Sequence, residues 1–185
     1  MMAARVLTAL AAVLTLAAAA PAAAEAPPYV AKGACPFECC TYGVWPVKAD
    51  VEVYAEPDAG APVVARLSSG TRVRVVTGEV HVVPGLARAT GKPHSSAAGL
   101  DPAQPIEILD YVGEGYSRVR QGERLSQVKI ARSKRRCVES PNRRYCWAEV
   151  IREPVSTWWV RVELPGSRTG WVLMDGGLEP TDACS

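Results

Sequence analysis

After residue 24 the sequence lacks the apolar spacing that is typical of an α-helix. No later segment repeats apolar residues at intervals of three and four over about ten residues or more. The chain has instead short runs rich in Val, Trp and Tyr, with polar residues at alternate positions and with Gly or Pro between the runs. We therefore expect the chain to be almost entirely β-structure.

Histidine is nearly missing as well, since the chain has only His81 and His94. A cysteine peptidase needs a thiolate that a nearby imidazole activates, whereas the cysteines of this chain form an even set that can pair off completely. No pair of carboxylates lies in a recognisable glycosidase motif. We therefore expect no enzymatic activity, no catalytic residue and no cofactor.

The sequence also lacks an apolar run of the roughly 20 residues that span a bilayer. The segment Val6–Ala20 is apolar but shorter, it follows the basic Arg5, and an Ala-x-Ala site follows it. This arrangement is typical of a secretory signal peptide, in preference to a membrane anchor. We expect residues 1–24 to be removed by cleavage after about Ala24, which leaves a periplasmic or extracellular protein without a transmembrane segment.

All six cysteines lie in the part of the chain that we expect to be exported, where an oxidising compartment favours disulfides. They are Cys35, Cys39, Cys40, Cys137, Cys146 and Cys184. The turn signal SPN between Cys137 and Cys146 predicts that these two bond to each other. Cys184 is then expected to join the N-terminal group, in which adjacent Cys39 and Cys40 are too strained to bond directly.

A metal site is the alternative use of the first three cysteines. It would combine Cys35, Cys39 and Cys40 with His81 or His94. The spacing C-x-x-x-C-C is not a standard zinc spacing, and the two histidines show no paired spacing of their own. We therefore expect no bound metal.

The clearest strand signal lies near the C-terminus. Thr157–Leu164 and Ser167–Val172 alternate apolar with polar residues on either side of Pro165-Gly166, which is typical of a β-hairpin. Earlier runs of the same kind are Val47–Tyr54, Pro62–Leu67 and Arg72–Val76. A hairpin alone is not stable in water, so these runs are expected to share one sheet or barrel.

The motif W-W-V-x-V, a turn and then x-T-G-W-V resembles the last hairpin of bacterial SH3-like domains. The stretch S-G-T-R-V-R-V at 69–75 is similar to the front half of the same family. The resemblance implies an SH3-like small barrel, with Trp171 and either Trp158 or Trp159 in its interior. It also implies a role in the bacterial cell envelope, where exported modules of this family are commonly attachment units.

The resemblance covers both ends of the exported chain and lapses between them. We therefore expect an all-β, disulfide-braced protein with a Cys- and aromatic-rich segment at 25–46 and an SH3-like domain at 47–185. A long β and loop insertion is expected at about 79–154. Its expected parts are a pair of strands in Glu79–Ala89 broken at Pro84-Gly85, a loop at Thr90–Pro105, a hairpin from Ile106–Val112 and Tyr116–Arg120, and a short strand at Gln127–Ala131.

The N-terminal segment gives weaker signals. Glu25–Lys32 is rich in Pro and is expected to be a flexible tail. The residues from Cys35 to Trp45 are too irregular for a strand or helix prediction. We expect them to be stapled across the end of the sheet, where they would bury Phe37, Tyr42 and Trp45.

Adjacent Trp158 and Trp159 lie on one predicted strand, so one side chain must point inward and the other outward. An outward Trp beside Tyr54 or Tyr116 would form an aromatic groove of the kind that SH3-like domains use for peptides. Plain core and surface packing of these rings is the alternative, and the pattern favours it.

Positive charge is concentrated between Arg118 and Arg144. That window has ten lysines and arginines against two glutamates, a net charge of +8. Because the whole sequence is only +2 and Arg5 leaves with the signal peptide, the rest of the exported chain is −7. The basic loop (Arg132–Arg144) is the functional candidate, and the alternative is a solvated surface loop. Its proposed binding residues are Arg135, Arg136, Arg143 and Arg144.

The sequence thus predicts an exported, non-catalytic binding module for peptidoglycan, an anionic envelope polymer or an envelope protein. The alternative is a disulfide-stabilised structural or protective protein without a small ligand, and an enzyme related to cell-wall hydrolases is a distant third. Nucleic acid is not expected as a partner, because no interleaved aromatic and basic repeat is present.

Overall fold

A computed structural model describes residues 28–35, 39–91, 97–131 and 146–184. Within those ranges the chain forms β-strands and no α-helix, so the all-β expectation is confirmed. The strands are β1 (Tyr29–Lys32), β2 (Cys40–Thr41), β3 (Gly43–Pro46), β4 (Val51–Tyr54), β5 (Val63–Leu67), β6 (Arg72–Val83), β7 (Gly85–Ala89), β8 (Ile106–Gly113), β9 (Tyr116–Gln121), β10 (Arg124–Lys129), β11 (Ala148–Arg152), β12 (Val155–Leu164), β13 (Arg168–Leu173) and β14 (Thr181–Asp182).

A search of the same residues for a helix long and apolar enough to cross a membrane finds none.

The first sheet has seven strands in the order β1-β6-β12-β13-β4-β5, and β3 also pairs with β6. Its longest ladder joins β6 to β12, from Val83 opposite Val155 to Val75 opposite Val162. The hairpin between β12 and β13 turns at the predicted position, with Gly166 at φ 75° and Ser167 at φ 59°. Two successive residues with positive φ are what a tight hairpin turn requires.

The core of the first sheet is formed by residues from strands that are not neighbours. It contains Trp45, Val47, Val53, Val73, Val75, Val160, Val162, Leu164, Val172 and Leu178. Val53 of β4 and Val75 of β6 share this core although β12 and β13 separate their strands, so the sheet curls around its apolar face. Among the described strands no ladder joins β5 to β3, so the curled sheet is not a closed barrel.

The tryptophans do not fill the core as the resemblance implied. Trp45 is the ring at its centre; it is fully buried and donates from Nε1 to the carbonyl oxygen of Thr41 at 2.9 Å. Trp171 is only half-buried, and its expected place in the interior is wrong. Its neighbour Val172 faces the core, and successive side chains of a strand point to opposite faces.

The second sheet has five strands in the order β10-β9-β8-β7-β11, all from residues that lie within the expected insertion. The predicted turn at Gly113–Gly115 joins β8 to β9, and the predicted break at Pro84 separates β6 from β7. Strand β7 pairs with β8 and β11, whereas β6 belongs to the first sheet. This sheet has its own core, formed by Ala87, Ala97, Leu100, Ile106, Ile108, Val119, Val128, Ile130, Trp147 and Ala148.

The expected flexible tail is wrong for its last residues. Tyr29–Lys32 forms β1 and pairs with β6, from Tyr29 opposite Val82 to Lys32 opposite Glu79. Ala31 packs with Val80 and Val82 in a third small apolar cluster, against which Tyr29 also lies. Burial of these side chains gives the segment a reason to order that its Pro-rich composition did not indicate.

The cysteine-rich segment that follows is partly regular, because it includes β2 and β3. Tyr42 is half-buried and Trp45 is buried, whereas Phe37 lies outside the described residues. Two disulfides hold the segment: Cys35 bonds to Cys40, and Cys39 bonds to Cys184. The second bond is the expected link between the N-terminal group and Cys184. Cys137 lies outside the described residues, so its predicted pairing with Cys146 stays a prediction.

A close backbone contact fixes where the N-terminal segment crosses the first sheet. A Cβ atom on Gly78 would lie 2.5 Å from the Ala34 carbonyl oxygen and 3.0 Å from that of Trp159. We expect Gly78→Ala to lower the free energy of unfolding by about 1–3 kcal/mol, because both neighbours are backbone atoms. Urea unfolding measures the change. Gly91→Ala is the matched control, because no atom lies within 4 Å of its Cβ position. If both variants lost the same free energy of unfolding, the close backbone contact at Gly78 would be contradicted.

Candidate functional site

Trp158 and Trp159 point to opposite faces of β12, as expected for adjacent strand residues. Trp159 packs edge-on against Tyr54, with ring centroids 5.7 Å apart and planes at 88°. It is only 3% exposed, so the pair leaves little of the Trp159 ring for a ligand to contact. The predicted contact between Trp159 and Tyr54 therefore exists, but this aromatic pair is mainly a packing contact.

Polar residues surround Tyr54. Its hydroxyl donates to Oε2 of Glu52 at 3.0 Å, and Nη2 of Arg66 donates to Oε1 of the same carboxylate at 2.8 Å. The hydrogen bond from Arg66 lowers the pKa of Glu52, and the hydrogen bond to Glu52 raises the pKa of Tyr54. Tyr116, the other proposed groove residue, lies in the second sheet, where the Lys129 ammonium is 4.4 Å from its ring centroid.

Apart from Arg118, which also contacts β1, the arginines in the described part of the basic window contact residues of the inserted region. Nε of Arg120 bonds to Glu107 at 2.5 Å, and Arg124 donates to the carbonyl oxygens of Ala98 and Gly99. These cations therefore brace the second sheet. The four proposed arginines of the basic loop, Arg135, Arg136, Arg143 and Arg144, lie outside the described residues.

A pocket of about 340 Å³ lies where the two sheets meet, and we call it the junction pocket. The residue after β1, Gly33, and Ala31 within β1 form one wall, and the C-terminal end of β8 forms another. Polar and aromatic residues from four strands line it: Lys32 on β1, Asp110 and Tyr111 on β8, Arg118 on β9 and Trp158 on β12. The junction pocket thus exists only because the inserted sheet packs against the first one.

Asp110 is the most unusual group of the junction pocket. Its side chain is 9% exposed, and its Oδ2 accepts a hydrogen bond from Nη1 of Arg118 at 3.2 Å. Oδ1 is buried and accepts no hydrogen bond from any other described residue. Burial raises the pKa of Asp110, and the charge of Arg118 only partly opposes that effect. A buried acceptor without a partner is costly, and it commonly marks a place where a water or ligand donor fits.

Arg118 is held in a fixed position. Its Nη1 also donates to the hydroxyl of Tyr29 at 2.5 Å, and its guanidinium carbon lies 5.8 Å from the centroid of the Tyr29 ring. The first residue of β1 and the buried carboxylate of β8 therefore orient one guanidinium. Pre-oriented donors lose less entropy when a ligand binds.

The inward position of Asp110 follows from an irregularity in β8. The register between β8 and β9 shifts between Ile108 and Tyr111, and Ile108, Leu109 and Asp110 are all buried in succession. A bulge of this kind turns a side chain away from the face that simple alternation would give it. Asp110 was not predicted as a site residue, and Arg118 was predicted only as part of the basic window. The available signal was a single acid inside the apolar run I-L-D-Y-V.

The raised pKa of Asp110 predicts a pH effect on stability. The folded protein holds this proton more tightly than the unfolded chain, so the stabilisation exists below the unfolded pKa of about 3.9 and is lost as the pH rises through the folded pKa. We expect Asp110→Asn to gain stability relative to the unmodified protein as the pH is raised from about 4 to about 7. Urea unfolding across that range measures the difference, and a change in the opposite direction would mean that the ion pair with Arg118 dominates.

The described groups of the alternative metal site have other partners, and His94 lies outside the described residues. Cys35, Cys39 and Cys40 each belong to a disulfide, and Nε2 of His81 lies 3.1 Å from Oε2 of Glu79.

Comparison of the chain with protein-family models, curated proteins and solved structures finds no match.

Proposed function

We propose that this chain is an exported, non-catalytic binding module of the bacterial cell envelope. Its scaffold is an SH3-like sheet that curls into an open barrel, and the inserted second sheet completes a ligand site at the junction pocket. The observation that carries the proposal is the junction pocket itself, where a buried carboxylate with a free oxygen, an oriented arginine and a tryptophan converge. Polar groups that converge in a concave site are the usual features of ligand binding.

Two observations support the SH3-like scaffold. The strands that carry the motif residues, β6, β12 and β13, are neighbours in one antiparallel sheet. That sheet curls around a single apolar core to which β4 also contributes. The second sheet enters between β6 and β12, the same place at which the sequence resemblance lapses.

The chemistry of the junction pocket supports binding without catalysis. Among the described residues its lining includes one carboxylate, Asp110, and neither a histidine nor a free thiol, because Cys35 is in a disulfide. General acid–base catalysis by side chains usually needs a second group of matched pKa within hydrogen-bond reach. Arg118 serves to bind and orient an anion, because a guanidinium presents a planar fork of donors to a carboxylate.

The envelope part of the proposal rests on the sequence. A signal peptide and three expected disulfides favour an exported protein. The basic loop would add attraction to anionic envelope polymers, and exposed charges of this kind act over about 8–10 Å at physiological salt. The basic loop then draws the molecule to the polymer, while the junction pocket provides specific contacts.

The test is sedimentation of the mature chain with purified, insoluble cell wall across a salt series. We expect binding that weakens as salt rises, a smaller salt dependence when Arg135, Arg136, Arg143 and Arg144 are all changed to Gln, and weaker binding at every salt concentration for Asp110→Asn. The Trp171→Ala variant is the control, because Trp171 does not line the junction pocket. No binding at any salt concentration would overturn the proposal and favour the structural or protective alternative.

A further inference from the structure

The junction pocket contains one buried carboxylate and one oriented guanidinium, and each has hydrogen-bonding capacity to spare. Within the described residues no group bonds to Oδ1 of Asp110, although this oxygen is itself buried. Arg118 uses Nη1 for both of its hydrogen bonds, and within the described ranges no residue bonds to its Nε or Nη2. A ligand that fills the pocket therefore meets at least two unused donors, and a turn of the Asp110 side chain would present its unused oxygen as an acceptor.

We propose that the junction pocket binds the zwitterionic head of an α-amino acid, with the ligand ammonium on Asp110 and the ligand carboxylate on Arg118. This inference rests on the proposed function, because it takes the junction pocket as the binding site. A carboxylate is the natural acceptor for an ammonium, and the planar fork of a guanidinium matches a carboxylate with two parallel hydrogen bonds.

Charge balance favours a zwitterion over a simple anion or cation. Asp110 and Arg118 form an ion pair of no net charge, and the Asp110 side chain is 9% exposed. Lys32 is the other charged residue in the described lining, and it is exposed to solvent, so the desolvated charges are those of the ion pair. A ligand with one charge would leave a charge uncompensated in this partly desolvated place, which is costly. A neutral ligand with separated charges satisfies both groups at once.

Trp158 indicates what the side chain of the ligand would contact in the junction pocket. Trp158 lines the junction pocket, packs against the cluster of Ala31, Val80 and Val82, and is itself only partly buried. An apolar or aromatic ligand side chain would bury area against this ring. The volume of about 340 Å³ is at the small end of ligand sites, which suits a single amino acid and not an extended peptide.

The same zwitterionic head has two sources in an envelope: a free amino acid, and an amino acid attached to a polymer through its side chain. The shared chemistry is what the pocket recognises. Competition distinguishes the two sources. If a free amino acid releases the chain from cell wall, the wall presents the same zwitterionic amino-acid group. Binding of the free amino acid without release shows that the free form is the ligand.

The experiment is ligand-observed NMR followed by calorimetry on the mature, disulfide-intact chain. The probes are the individual amino acids in both enantiomers and, for each one that binds, its amide and its N-acetyl derivative. We expect at least one apolar amino acid to bind and each derivative to bind at least about 10-fold more weakly, because each block removes one charge-assisted contact. Asp110→Asn should weaken binding by a similar factor, and Trp171→Ala should leave it unchanged.

Because the probe derivatives test the contacts on the unmodified protein, poor folding of a variant does not affect the conclusion. Failure of every amino acid to bind would overturn the inference, as would an amide and an N-acetyl form that bind as well as the parent. If the chain still sediments with cell wall in that case, the proposed function stands and only the ligand class is wrong. If amino acids bind but no sedimentation occurs, the ligand class stands and the envelope-binding function is wrong.

Discussion

Changing Cys39 and Cys184 together to alanine is expected to lower the free energy of unfolding by about 4–5 kcal/mol. The two residues are 145 positions apart, and a cross-link that closes so long a loop removes much of the entropy of the unfolded chain. The bond also joins two short strands that pair with each other, since Asp182 of β14 lies opposite Cys40 of β2. Urea unfolding under non-reducing conditions, followed by far-ultraviolet circular dichroism, measures the loss.

The second disulfide of the same segment gives a matched comparison. Cys35 and Cys40 are only 5 positions apart, and the loop-entropy argument assigns their bond about 2 kcal/mol. The double alanine variant at these positions should therefore lose less than half as much stability. If the two double variants lose the same amount, local packing and not chain entropy determines what the disulfides contribute.

Alternation of apolar and polar residues was sufficient to find most strands. It located the hairpin at Pro165-Gly166 and the hairpin at Gly113–Gly115, because in both cases a clear turn signal separates two runs of period two. It ended one strand too early. Strand β6 continues from Val76 to Val83 through Thr77-Gly78, where a register shift in its ladder with β12 accommodates Val76.

Features that depend on partners far along the chain were not visible in the sequence. Tyr29–Lys32 has no strand signal of its own and orders only because the edge of β6 is free to pair with it. Strand β11 was missed for a related reason, since Ala148–Arg152 is a short run defined by its pairing with β7. Pairing partners and registers are tertiary information, which local propensity does not contain.

The candidate site was the least predictable part. Trp158 was nominated as an aromatic platform, and it does line the junction pocket, but with partners that no motif indicated. Asp110 faces inward because of a bulge, and a bulge changes the face of a side chain without changing the composition of the strand. A single acid in an apolar run was the only available signal, and its ion pair with Arg118 depends on the shifted register of β8 and β9.

Because Trp45 and not Trp171 occupies the core of the first sheet, single substitutions at these two positions are expected to differ strongly in stability. Trp45→Ala should lower the free energy of unfolding by about 3–5 kcal/mol, because it empties a fully buried site and removes the hydrogen bond to the Thr41 carbonyl oxygen. Trp171→Ala should cost about 1 kcal/mol, because that ring is half-buried on the opposite face of the sheet from Val172.

Both tryptophan variants are best measured by urea unfolding followed by far-ultraviolet circular dichroism, since fluorescence would report the lost ring itself. The resemblance places Trp171 in the interior, whereas the curled sheet places Trp45 there, so the two arrangements predict opposite orders of stability. A larger loss for Trp171→Ala than for Trp45→Ala would contradict the core described above. The expected order means instead that the N-terminal segment supplies the central ring of the core of the first sheet. Trp45 and the Cys39–Cys184 disulfide then both stabilise the contact between the two ends of the described chain.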